Sequence, residues 1–430
     1  MSVLEAGQGK ADITPPLGIE MAGFHRAPGK ERRVEGVRGK TGARALALKT
    51  GVSRAAIVSL EICAISSEFA RTVKEAVEQE IGIPASHVMV TATHSHSTPA
   101  LRFFRQWGAE DEGYRMKVAD AALEAVHKAV EDLSPCDLYL GEHKVVGGNF
   151  NRTTPTWKTG EAFGPESSDS ERWLDTALHC LYFVRSNGKP DLAWYHFCAH
   201  PVCFTDGLAG PDWPGIVAER ILPAHPIDVG FLQGHIGDVN PGDGTPWIGD
   251  PEETARAVLP ALHHAIGHGR LVDVDRLRIQ SGRVELPLNL PLLEEWLVTY
   301  RKDPAACKEG VWVDPGFAED WARGAEKIDK TRATLSTPIS ALALGDAALL
   351  FHGSELYSYY GLAVRRDSPF PDTLVVGYTD DFVGYLTDPR AYEKDEYAAV
   401  VVPKILDLPP FAPNAASALK EAAVELLKRV

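Results

Sequence analysis

The chain has no apolar run near the ~20 residues that a bilayer-spanning helix needs. Its N-terminus, "MSVLEAGQGKADITPP", lacks the basic start and apolar stretch of a secretory leader, so a cytoplasmic location is expected. Its six cysteines (Cys63, Cys136, Cys180, Cys198, Cys203 and Cys307) are scattered, without disulfide-scaffold spacing or a CxxC pair. Positive charge is in deficit too. A net charge of −15 over 430 residues argues against nucleic acid or an anionic membrane surface as the main partner, because the long-range field repels both. The loop "GHIGDVNPGDG" lacks the Lys-Ser/Thr of a phosphate-binding loop and the GxGxxG spacing of a dinucleotide fold. There is no GxSxG elbow for a serine hydrolase of the α/β type.

The positive signal is a repeated placement. "SRAAIVSLEIC" reads as a strand, and Ala70, Val73, Val77 and Ile81 then recur at helical spacing up to Gly82. "PASHVMVTATHSH" returns as a second strand, so the unit is strand-helix-strand with parallel strands. His94 and His96 lie at its carboxyl end, the edge where open α/β sheets hold ligands. "LHCLYFVRSNGKPDLAWYHFCAHP" reads as a hairpin with His200 at the end of its second strand. "PIDVGFLQGHIGDVNPGDG" is a buried strand opening into a glycine-rich loop. "ISALALGDAALLFHGSELYSYYG" is a hairpin through Gly345-Asp346, with a helix expected to begin near Glu355. "DTLVVGYTDDFVGYLTDP" is a further strand, whose loop carries Tyr378 and Tyr385. Five strands thus end in chemically able residues. Residues 291–335 read as helical, a possible insertion or lid, and 414–430 as an amphipathic closing helix. No repeat or linker divides the chain, so a single domain over 1–430 is expected.

Taken singly, each residue keeps an ordinary reading. On an extended strand, i and i+2 point the same way, so His94 and His96 would aim at one place and suit a metal. Among fifteen histidines, such a pair also arises by chance as a hydrogen-bonded strand end. His200 can be a satisfied histidine of a half-buried strand, sharing a face with Trp194 and His196. Glu355 can be a helix-dipole carboxylate. Tyr385 and Tyr397 can be packing aromatics, and Arg152 a solvated loop residue. Cys198 and Cys203 read as small buried apolar groups.

In order along the chain, "AGQGKADITPPLGIEMAGF", "TATHSHSTPA", "GGNFNRTTP", "HFCAHP", "QGHIGDVNPG", "HGSELYSYYG" and "GYLTDPRAYEKDEYAA" resemble the catalytic domain of the neutral/alkaline non-lysosomal ceramidase family. The resemblance implies an α/β fold of mixed β-sheets flanked by helices. It implies one zinc ion, held by His94, His200, Glu355 and Tyr385. His96, Arg152 and Tyr397 would then be catalytic, with Arg152, Tyr397 and a protonated His96 as oxyanion donors, and His235 and Asn240 would contact substrate. The implied reaction is hydrolysis of a linear C–N amide by metal-activated water, on a small-molecule or lipid-amide substrate. Another divalent ion suits the same donors.

Two features depart from the family. Its loop reads Gly-Asp-Val-Ser-Pro, where this chain has Asn240, and the family's immunoglobulin-like C-terminal domain is expected to be missing. Ceramide itself is therefore less expected than amide hydrolysis. The alternatives are a metal-dependent lyase or isomerase acting on a sugar-type substrate, and a non-catalytic metal-binding relative.

Overall fold

Side chains alternate with period two along the central strands, and this alternation sorts them into two cores. The computed structural model describes residues 3–153, 168, 171, 173–306, 313 and 316–430. The first sheet is built from β1 (Leu4–Asp12), β2 (Gly42–Thr50), β3 (Ser53–Leu60), β4 (Val88–Ala92), β5 (Ser134–Lys144), β6 (Ala177–Arg185), β7 (Leu192–Phe197), β8 (Gly230–Gln233) and β9 (Arg270–Val272). Its order is β8-β7-β6-β5-β1-β2-β3-β4, with β9 branching off β5. The second sheet contains β10 (Leu277–Pro287), β11 (Thr334–Leu344) and β12 (Ala347–His352). After the short β13 (Glu355–Leu356) it is completed by β14 (Asp372–Val376), in the order β10-β11-β12-β14.

Leu46 and Leu48 of β2 join Leu349 and Phe351 of β12 in the core between the sheets. Ala45 and Ala47, with Ala348 and Leu350, face the helices on the outer sides. The layers are therefore helix, sheet, sheet, helix. Small outward residues let the helices come close. At Gly7 and Gly9 of β1, a Cβ would stand 2.2 and 2.1 Å from the carbonyl oxygens of Ala129 and Ala125, on the helix Glu112–Glu131.

The strand-helix-strand reading holds: β3 and β4 pair in parallel around the helix Ser67–Ile81. That helix is capped by the Ser66 side chain and stopped by Gly82 in the left-handed region, φ 74°. The β6-β7 and β11-β12 hairpins are also present. One expectation fails. Glu355 does not start a helix; it lies in β13, and the helix begins at Ser358. Residues 291–335 contribute the helices Leu290–Lys302 and Phe317–Ala325. Their Trp296 and Trp321 rings lie 4.0 and 5.4 Å from the Lys404 ammonium. Cys307 lies outside the described residues, and the other five cysteines are buried and form no disulfide among the described residues. No described helix is long and apolar enough to cross a membrane.

A buried polar cluster sits under β7 and β8. Arg365 donates to both carboxylate oxygens of Asp175 at 2.8 Å, and His235 Nε2 lies 3.3 Å from the same group. Burial alone would raise Asp175; Arg365 and His235 outweigh it and hold the carboxyl below its usual range. Burial pushes His235 down to about 4, and His196 and His352 to about 3. These imidazoles are neutral when folded and titrate near 6.5 when unfolded. Below that pH, unfolding takes up protons, so stability falls as pH falls. The thermal midpoint should therefore be nearly flat from pH 8 to 6.5 and drop steeply between 6.5 and 4, as read by scanning calorimetry across buffers.

Candidate active site

Two backbone carbonyls orient the centre of this site. Beyond β4, Thr93 and His94 donate their N–H groups to Leu60 and Ile62, at 2.9 and 3.0 Å. His94 then turns into the left-handed region, φ 67°, uncommon for a residue with a side chain. This turn, rather than strand alternation, brings His94 and His96 together, with ring centroids 4.8 Å apart. His94 Nδ1 donates to the Cys63 carbonyl at 2.7 Å. A carbonyl can only accept, so the proton is on Nδ1 and Nε2 keeps its lone pair.

His200 follows the same rule. It lies three residues past β7, and the chain leaves the extended face shared by Trp194 and His196. His196 Nε2 donates to Val375 O at 2.9 Å, whereas His200 Nδ1 donates to Val239 O at 2.7 Å. Glu355 Oε2 lies 3.5 Å from His94 Nε2 and 3.3 Å from His200 Nε2. The ligand atoms of these three residues are all within 4.8 Å of one another. Burial holds His94 down to about 4 and His200 well below its ordinary value, so both are neutral. Burial raises Glu355, while His94 and Arg152 pull it back. Two neutral imidazoles with lone pairs turned toward a buried carboxylate form a donor set that fits zinc, including the outer hydrogen bonds that fix each ring.

Tyr385 reaches the cluster by register. β13 pairs in parallel with the short β15 (Tyr385–Leu386), which sets Glu355 opposite Tyr385. Arg152 Nη2 donates to Tyr385 Oη at 2.8 Å and to Gly237 O at 2.7 Å, and Nη1 donates to Asn240 Oδ1 at 3.2 Å. Tyr378 went unassigned in the sequence reading. Its hydroxyl donates to Glu355 Oε2 at 3.2 Å and its ring stacks on His94, centroids 4.3 Å apart. The available signal was its strand-end position; nothing in its spacing marked it.

A narrow cleft of about 40 Å³ opens on this cluster, well below the roughly 300–1,000 Å³ of most ligand sites. One wall carries His94, His96, Glu355, Tyr385 and Tyr397; the other is Phe104, Trp107, Phe382, Val402, Ile405 and Leu406. Burial pushes the Tyr385 and Tyr397 phenols up, so both keep their protons at neutral pH. Cys63 also lines the cleft. Burial and the Glu355 carboxylate raise its thiol, which disfavours it as a nucleophile.

Four expectations change. His96 is not protonated near neutrality: burial, then His94, His200, Arg32 and Arg152, push it well below its ordinary value. Its Nε2 lies 3.2 Å from His94 Nε2, and its buried Nδ1 has no hydrogen-bond partner. Arg152 is not among the cleft-lining residues; it holds Tyr385 from behind. Asn240 backs Arg152 and donates Nδ2 to Trp247 O at 2.7 Å, rather than facing the cleft. His235 belongs to the Asp175 cluster and is not among the cleft-lining residues.

Residues 4–213 match the family model of neutral/alkaline non-lysosomal ceramidase, N-terminal. Over that span the chain is similar to this family. The match includes His94, His96, Arg152 and His200. The fold extends the likeness to the rest. Neutral ceramidase from Pseudomonas aeruginosa superposes with a TM-score of 0.75 at 18% identity, covering 99% of this chain and 74% of that one. A ceramidase complexed with C2 gives 0.76 at 18% identity, with 99% and 75% covered. At this identity the structures establish the shared mixed-sheet fold, and the family match supports a ceramidase-like hydrolase.

Gly237 is a tight joint of the site. A Cβ there would stand 2.5 Å from Glu355 O and 2.9 Å from Tyr357 Cδ1. Gly237→Ala should cost about 1–3 kcal/mol, as overpacking does elsewhere, with the shift read from urea unfolding. Gly267→Ala, where a Cβ meets nothing within 4 Å, is the control.

Proposed function

We propose that the chain is a zinc-dependent hydrolase of linear amides with an apolar acyl half. The observation that carries this is the convergence of His94 Nε2, His200 Nε2 and Glu355 Oε2, with both rings oriented through Nδ1. His94, His200, Glu355 and Tyr385 would hold the ion, the last weakly, since its phenol is neutral. When bound, the ion supplies Lewis acidity, lowering the pKa of water toward neutrality and polarising an amide carbonyl.

The protein's own groups account for the other requirements. A neutral His96 can take a proton from the attacking water and pass it to the departing amine. Tyr397 and Tyr385 present O–H donors along the cleft wall, where charge would develop on the carbonyl oxygen. Arg152 positions Tyr385. The apolar wall from Phe104 to Leu406 suits an acyl chain and disfavours a polyol, which argues against the lyase or isomerase reading. A single cleft with both walls built is what an N-acyl amine requires.

His94→Ala and His200→Ala should each lose both zinc, by elemental analysis, and amine release from an N-acyl substrate. Tyr397→Phe should keep the zinc and lose most of its turnover. Stoichiometric zinc in either histidine variant would remove that residue from the ligand set. If the parent chain releases no amine from any of a series of N-acyl amines, the reaction assignment fails.

A further inference from the structure

Next to the apolar cleft lies a second, more polar pocket that shares Phe104 as a wall and is lined by Glu20, Phe24, Arg26, Glu31 and Arg32. Phe24 connects the two, because its ring meets that of His96 edge-on with centroids 5.2 Å apart. The Arg32 guanidinium lies over the other side of this contact, 4.8 Å from the Phe24 centroid.

The charges in this pocket are unevenly matched. Glu20 pairs with Arg33 at 3.0 Å and accepts from Ala109 N–H at 2.8 Å. Glu31 also pairs with Arg33, at 3.6 Å, and accepts from Gly29 N–H at 2.7 Å. Both carboxylates are therefore engaged, and one outer arginine serves them. Arg32 is only 8% exposed and forms no ion pair among the described residues, with Asp206 acting on it only from a distance. Its Nη groups donate to the carbonyls of Ala22, His96 and Phe204, while Nε has no hydrogen-bond partner at all. Arg26 donates to the His25 carbonyl and meets no carboxylate either. Burial pushes Arg32 down to about 10, and the neighbouring Arg26 charge adds to that. The Arg32 guanidinium remains charged at pH 7. A buried cation with an unused donor and a second cation beside it is costly unless an anion completes it.

We infer that this pocket binds the carboxylate of the substrate's amine half, so that the preferred substrates are N-acyl amino acids, with the acyl chain in the apolar cleft and the carboxylate on Arg26 and Arg32. The inference rests on the amide-hydrolase reading for the position of the scissile bond. The engaged but nearby carboxylates of Glu20 and Glu31 favour a monoanion over a dianion such as phosphate.

The test reads binding, which does not depend on turnover. The probes are the uncleavable ketone in which a methylene replaces the amide N–H of N-hexanoylglycine, and the same ketone with its carboxylate converted to a carboxamide. On the zinc-loaded chain, calorimetric titration should give the carboxylate at least about tenfold tighter binding, the scale of a charge-assisted hydrogen bond. Arg26→Gln should bring that ratio close to one, and Arg32→Gln should do the same if it folds. Equal affinities in the parent, or an unchanged ratio in Arg26→Gln, would overturn the inference. Hydrolysis of N-hexanoylglycine is measured separately, so a failure of the hydrolase reading shows there and leaves the binding ratio to judge the pocket.

Discussion

The site depends on two hydrogen bonds in which an imidazole Nδ1–H meets a main-chain carbonyl, His94 to Cys63 and His200 to Val239. Each bond does two things at once. It fixes the tautomer, since the carbonyl has no proton to give, and it fixes the ring's rotation, since Nε2 must then point the opposite way. A neutral, oriented lone pair results. Without these bonds the buried rings would be free to turn, and the carboxylate of Glu355 would face no defined partner. The low-dielectric surroundings that keep the imidazoles uncharged also raise the cost of leaving Glu355 unpaired.

Backbone geometry carries the donors to one point from distant parts of the chain. Cys63 follows β3, His94 follows β4, and His200 follows β7, so three strand ends of one sheet supply two rings and one carbonyl. Glu355 and Tyr385 come instead from a two-residue parallel pair beyond the second sheet. The site is thus a joint between the sheets, and the close approach of Gly237 to the Glu355 carbonyl shows how little room that joint leaves. Strain collects there as well: His94 (φ 67°) and Tyr378 (φ 56°), which stack on each other, both occupy the left-handed region. Non-glycine residues hold that conformation when the surrounding structure over-determines it, which is common where a site must be pre-organised.

Much of the scaffold was legible because it rests on local rules. The β3-helix-β4 unit follows from hydrophobic period, capping and the Gly82 stop, and the hairpins follow from Ser-Asn-Gly and Gly-Asp turns. The placement of His94, His200, Glu355 and Tyr385 near one another came through the family resemblance. The geometry behind it was not legible. Strand alternation gave a reason for pairing His94 with His96, yet the chain has already left the extended region there. Glu355 looked like the start of a helix because Gly-Ser precedes it, and the three residues before Ser358 are instead used for pairing with β15. The family resemblance made Arg152 catalytic and put Asn240 and His235 at the substrate. The structure directs the first two toward each other behind Tyr385, and gives the third to Asp175, a partner sixty residues away in a segment without a recognisable motif. Which side of a loop residue faces a cleft is set by long-range packing, and no local pattern encodes it.

The two walls of the cleft have different origins, and this bears on how specificity can vary. The polar wall is carried by residues in or just beyond strands, His94, Glu355 and Tyr385, with Tyr397 added from a helical turn. The apolar wall comes from the loop around Phe104 and Trp107 and from short helical turns, Tyr397–Val400 and Val402–Ile405. Those turns are anchored from outside, with Lys404 over Trp296 and Trp321, and with Arg105 pairing with Asp320 at 2.9 Å and with Asp407. The helices Leu290–Lys302 and Phe317–Ala325 thus brace the turns that carry the apolar side, while Tyr397 on those turns meets the Tyr385 ring, centroids 6.3 Å apart. Because loops tolerate change that strand ends do not, the chemistry of the centre can stay constant while the apolar side of these turns is altered to take different acyl groups.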